Sequence, residues 1–207
     1  MLKPKQESDS AQKQNLAELV LINPFAPYTV PSVLWLVCAE SQILLNELVG
    51  MSTSDGYFIV QLTHGVRILS IFLFGLKGLL TVLLAPLAYF YIFNRPTYNT
   101  PEVILLLQVT CQTLAVFVSF WAVQKFRNLN QQLDGIEGID VYATVIASAL
   151  LATVVQIPLV PHTQQIPTIE ILTFSFFSKI VGGLIVYFGI MFILSKLQTI
   201  NVKSRTN

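Results

Sequence analysis

Charge is what this sequence has least of. Only 11% of its 207 residues are Asp, Glu, Lys or Arg, against 54% hydrophobic, a balance outside the soluble range and the one a polytopic helical membrane protein requires. The few Lys and Arg are scattered, with no basic stripe and no interleaved aromatics, which argues against nucleic acid as a partner. Histidine is nearly missing. His64 and His162 stand too far apart for zinc-ligand spacing, so neither a metal nor a cofactor is expected. The chain has no hydrolase elbow, no phosphate-cradling glycine loop and no paired aspartates of the intramembrane-protease kind, so an enzyme is not expected either. Both cysteines, Cys38 and Cys111, fall inside apolar runs, where a thiol serves as a small packing residue. The opening MLKPKQESDSAQKQNLAELV lacks the basic region, apolar core and cleavage site of a secretory signal, and the first apolar span is expected to stay in the mature protein.

What the chain does have is long apolar runs, and the stretch 57–93 organises the rest. As one helix it would extend about 55 Å at ~1.5 Å per residue, nearly twice the ~30 Å of a bilayer's hydrocarbon core. It must therefore be two spans. The break falls at Gly75-Leu76-Lys77-Gly78, where two glycines weaken the helix and a lysine suits a membrane surface. Extending this reading predicts an all-α, polytopic transmembrane bundle of six spans, at about 31–49, 57–74, 78–93, 102–123, 141–159 and 169–194, forming one domain from 29 to 195. Before it, 1–28 is a polar cytoplasmic tail in which Leu16, Leu19 and Val20 share a helical face suited to the membrane surface, although a plain solvated tail fits as well. The prolines of NPFAPYTVP are expected to hold off the first helix until Pro31, and Pro86 to kink the third span. After the bundle, 196–207 is a basic tail.

The orientation follows from the basic residues outside the spans. Lys3, Lys5, Lys13, Lys77, Lys125, Arg127, Lys196, Lys203 and Arg205 fall on one face and only Arg95 on the other, which places both termini in the cytoplasm and the chain as a multi-pass protein of a cell inner membrane. Arg67 and Lys179 remain inside the membrane. An ionised side chain there costs between about 2.5 and 17 kcal/mol unless it is compensated. Placing the spans in register brings Glu40, Arg67 and Lys179 to similar depth, with Glu47, Gln61 and His64 close by. The expectation is mutual charge compensation, which makes the first, second and sixth spans neighbours. The same set could instead line a polar cavity that takes an anionic ligand on Arg67 and Lys179, or relay a proton through Glu40 and His64. Helical spacing also predicts bundle-facing polar stripes. They are Gln108, Gln112, Ala115 and Ser119 in the fourth span, Thr144, Ser148, Ala152 and Gln156 in the fifth, and Ser175, Ser178, Gly182 and Gly189 in the sixth.

Around THGVRILSIFLFGLKGLL, with His64, Gly65, Val66, Arg67, Phe74, Gly75, Lys77 and Gly78, the sequence resembles the second-span motif of bacterial integral-membrane sensory domains of the MASE type. The resemblance covers 61–80 in detail and the rest only as a multi-span pattern. It implies an input module that senses a ligand or a membrane condition. Such domains feed a signalling enzyme or kinase; with about a dozen residues after the sixth span, no attached output domain is expected here, and any output would pass through a separate cytoplasmic or membrane signalling protein beside membrane lipid, or there is none. The alternatives are a small transporter or channel subunit using the charged cluster as its pathway, and an assembly scaffold docking other helices on its small-residue stripes.

Overall fold

The computed structural model describes residues 23–50, 58–93, 102–129, 136–157 and 168–206. The surface-helix segment 15–22, Arg95 and His162 lie outside them. Among the described residues every long element is helical, in the order α1 (Ala26–Leu48), α2 (Leu62–Phe93), α3 (Glu102–Phe126), α4 (Gly138–Gln156) and α5 (Thr168–Thr206). All five contain a stretch long and apolar enough to cross a membrane.

α1 begins at Ala26, ahead of the start expected at Pro31, because its prolines fit. Pro27 sits in the first turn, where its missing N–H would have had no helical partner. Pro31 lies inside the helix and takes the donor away from the Pro27 carbonyl one turn back. Thr81 Oγ1 lies 2.9 Å from that carbonyl and 2.9 Å from the Lys77 carbonyl of its own helix, so its one proton is shared between the two. A hydroxyl from the neighbouring helix thus repairs the gap, as burial away from water demands.

α2 is interrupted at Gly75, whose φ of 57° and ψ of −131° lie outside the helical region and favour glycine. The halves on either side of it are in contact. Gly78 abuts the Ser70 carbonyl so closely that a Cβ would have no room. Leu62 and Val66 from the first half share one core cluster with Val82, Ala85 and Tyr89 from the second, together with Trp35 and Ala39 of α1 and Val186 of α5. Pro86 leaves no non-helical residue beside it, and the only such break in α2 is Gly75. The first half starts at Leu62 rather than near 57 because the backbone before it is committed elsewhere. The Ile59 N–H donates to Asn46 Oδ1 at 3.0 Å and the Gln61 N–H to the Ser178 carbonyl at 3.0 Å.

α2 packs against all four other helices, whereas α1 packs mainly on α2. A second core cluster joins Ile68 and Ile71 of α2 to Val116 and Phe120 of α3 and Val145 of α4. α3 ends in a left-handed Asn128 (φ 52°), with the Leu129 N–H returning to the Gln124 carbonyl and the Asn128 N–H to the Lys125 carbonyl, the paired bonds of a Schellman cap. Arg127 then grips the start of α4 through Asp140 (2.9 Å) and Glu137 (3.4 Å), and Glu137 and Asp140 form a capping box there. α5 continues to Thr206, past the span end expected at 194, since no glycine or proline follows Gly189 to stop it.

Candidate functional site

The polar interior is built around the first turns of α2. Gln42 Oε1, from α1, accepts both the Thr63 N–H (3.4 Å) and the Thr63 hydroxyl (3.3 Å). On the other side, Gly182 of α5 lies so close to the Gln61 carbonyl that only a residue without a Cβ fits, and a Cβ on Gly65 would come within 2.7 Å of both the Gly182 carbonyl and Val186 Cβ. This contact sets the angle of the helix and turns His64 toward α4. His64 is fully buried, and its Nε2 lies 3.1 Å from Ser148 Oγ. Ser148 Oγ also lies 3.1 Å from the Val145 carbonyl, and with its proton given there the matching tautomer carries the proton on Nε2 and leaves Nδ1 as an acceptor. Nδ1 has no hydrogen-bond partner among the described residues, and neither does the buried Ser178 Oγ.

Lys179, 0% exposed, follows Ser178 on α5. Its ammonium donates to Gln156 Oε1 at 3.0 Å, to Thr153 Oγ1 at 3.3 Å and to Ser175 Oγ. Three protons meet three neutral oxygens. Arg67, 4% exposed, is one turn beyond His64 on the same face, within electrostatic reach of both His64 and Lys179 and engaged by its own neighbours. The interior is thus a closed cationic centre in which the acceptors for Lys179 are side-chain hydroxyls and an amide.

The structure divides the residues that the sequence grouped together. Gln61, His64, Arg67 and Lys179 come together in the interior. Glu40 and Glu47 are exposed on α1. α1 buries Trp35, Ala39, Gln42 and Asn46, whose offsets of four, three and four make one face, and a glutamate one position beyond Ala39 or Asn46 is turned about 100° away from it. The Glu40 carboxylate accepts a hydrogen bond from the Tyr89 hydroxyl at 2.5 Å, and the Tyr89 ring meets Trp35 edge-on at 5.5 Å. The expected pairing of Lys179 with a carboxylate is replaced, among the described residues, by its three neutral acceptors.

Of the polar stripes, Thr144, Ser148 and Ala152 are fully buried with Gln156 half-buried, and Ala115 and Ser119 are buried with Gln108 and Gln112 half-buried. Ser175, Ser178 and Gly182 also face inward, but Gly189 is exposed with nothing near its Cβ position. Sequence reasoning missed Gln42, Asn46, Thr63, Tyr89 and Thr153. Gln42 and Asn46 carried a legible signal, since they continue the spacing of Trp35 and Ala39. No protein-family model, no curated protein and no solved structure matches this chain.

Proposed function

We propose that the chain is a bacterial inner-membrane protein of six crossings with both ends cytoplasmic, acting as a sensory or regulatory membrane domain that works through a partner protein. The sixth crossing comes from reading α2 as two spans joined at Gly75. The contacts of Ser70 with Gly78, and of Leu62 and Val66 with Val82, Ala85 and Tyr89, support it: in a straight helix Leu62 and Tyr89 would stand about 40 Å apart. The observation that carries the functional reading is the division of the charges. The interior cation Lys179 is saturated by Thr153, Gln156 and Ser175, while Glu40 is exposed on α1 with its carboxylate accepting from the Tyr89 hydroxyl. The resemblance of 61–80 to MASE-type domains points the same way. The small-residue stripes lend less to a scaffold, because Ser148 and Gly182 are occupied inside the chain.

The test is photocrosslinking in native membranes from Leu44, an exposed position on α1. A discrete adduct with one membrane protein is expected, and the activity of that protein should change when this chain is removed from the cell. Adducts with lipid alone would overturn the reading.

A specific observation favours a second reading, transport. His64 Nδ1 and Ser178 Oγ hold hydrogen-bonding capacity that the described residues leave unused beside Lys179, and intramembrane ionisable groups commonly mark ion or substrate routes. Proteoliposomes would then show proton or small-anion flux that Lys179→Met abolishes. Absence of flux for protons, chloride and short carboxylates alike would count against it.

A further inference from the structure

We propose that the interior centre binds one small monovalent anion together with a proton, the proton settling on His64 Nδ1 and the anion accepting from that N–H and from the Ser178 hydroxyl. This rests on the second reading, transport, and names its substrate class: a halide or short carboxylate coupled to a proton. His64 and Ser178 are 0% and 2% exposed, and neither His64 Nδ1 nor Ser178 Oγ has a hydrogen-bond partner among the described residues. One residue ties them together. Gln61 gives its N–H to the Ser178 carbonyl and takes the His64 N–H on its own carbonyl, both at 3.0 Å. The contact of Gly182 with Gln61 closes α5 onto the same turn. Two polar atoms left open at such burial are costly unless a ligand fills them.

The surrounding charges select what fills them. Lys179 and Arg67 both lie within electrostatic reach of His64, and two positive charges oppose a metal cation, ammonium or hydronium. The protons of Lys179 are all used, but Thr153, Gln156 and Ser175 are neutral: its hydrogen bonds are made, while its charge meets no carboxylate among the described residues. A water would serve Nδ1 and Ser178 Oγ and leave that charge as it is. An anion brings the opposite sign. An anion only accepts, however, and Nδ1 in the tautomer that matches Ser148 also only accepts, so a proton must arrive with it. With that proton on Nδ1, Nε2–H still donates to Ser148, and the anion offsets the charge gained. No bond between heavy atoms forms or breaks; the proton comes from bulk water and returns there when the anion leaves. The remaining charged groups on the packed helices stand away from His64. Glu40 and Glu47 are exposed on α1, Glu102 and Lys125 lie at the ends of α3, and Asp140 is held by Arg127 at the start of α4. On α1 and α4 the groups that meet this turn of α2 are the neutral Gln42 and Ser148.

The experiment uses the full chain in lipid nanodiscs and halide-free buffer, with chloride and formate as the probes. Calorimetry in buffers of different ionisation enthalpy counts the protons taken up. About one per anion is expected, with affinity rising about tenfold for each unit by which the pH falls. Nitrogen-15 NMR of the His162→Gln chain, in which His64 is the remaining histidine, should show Nδ1 bare without anion and protonated with it. Ser178→Ala should weaken the anion about tenfold and keep the proton uptake. It should not lower the melting temperature of the anion-free chain, because it removes a hydroxyl that has no partner among the described residues. His64→Gln should abolish the proton uptake; if that variant does not fold, the NMR of the native histidine and Ser178→Ala decide. Binding of either probe with its proton supports the proposal. Failure of both to bind, binding without proton uptake, or an Nδ1 that stays bare with the anion bound would overturn it. If binding and proton uptake are found but proteoliposomes carry no flux of either anion, the site stands and the transport reading fails. If flux is found and survives both Ser178→Ala and His64→Gln, transport stands and the site fails.

Discussion

Gln156 is the residue on which the comfort of Lys179 most depends. It supplies the 3.0 Å acceptor to a fully buried ammonium and also accepts from Ser175. Gln156→Leu would leave that charge with two hydroxyls, and a loss of about 1–3 kcal/mol is expected, read from thermal unfolding in detergent. Gln156→Glu gives the charge a true counter-ion and should not lower the melting temperature. A second test concerns Thr81, whose hydroxyl fills the gap that Pro31 opens at the Pro27 carbonyl. Thr81→Val keeps the volume and removes the donor, so a cost of about 1–3 kcal/mol is expected by the same measurement, and Thr81→Ser should recover most of it. At this scale the sequence was informative about His64, Arg67 and Lys179, since each interrupts an apolar run. It did not show that Glu40 and Glu47 would be exposed on α1, because formal charge says nothing of helical phase. Depth can be counted along a sequence, but the direction a side chain faces depends on which stripe packs, and on α1 that stripe runs through Trp35, Ala39, Gln42 and Asn46.

Between elements, the tightest requirement is the crossing of α2 and α5. Gly65 and Gly182 each lack room for a Cβ, the first against α5 and the second against the backbone of Gln61. Gly182→Ala is expected to push the helices apart and cost about 1–3 kcal/mol, and Gly182→Leu to abolish the folded monomer by size-exclusion chromatography. Gly189→Ala, on the same helix but exposed, should be neutral and serves as the control. The approximate positions of the helices were legible from apolar runs and punctuation. Their starts were less so. Pro31 reads as an obstacle until the Thr81 hydroxyl is seen beside it, and the non-helical entry at 58–61 depends on acceptors from Asn46 and Ser178, far away in sequence. Contacts of that kind leave no local trace.

For the whole molecule, α2 is the hub on which the other helices assemble, and it is broken at Gly75. With Cys38 and Cys111 replaced by Ala, Lys77→Cys should react with a membrane-impermeant maleimide only from the cytoplasmic side, together with a cysteine placed at either terminus. Reaction from the opposite side would refute six crossings. The sequence pointed to the break through GLKG and the length of the apolar run, and its intramembrane charges pointed to α1 as a neighbour of α2; that α1 would pack on little besides α2 left no trace in it. On the six-crossing reading, the break at Gly75 also bears on biosynthesis. The first half of α2 carries Thr63, His64 and Arg67 in few residues, and on insertion scales a central arginine, at about +2.5 to +3.5 kcal/mol, offsets several leucines at about −0.3 to −0.6 each. It is the more polar half and close to break-even by itself, whereas the half after Gly75 is almost entirely apolar. On that reading the second half would be made before the first leaves the translocon, and the two would enter the bilayer as a pair.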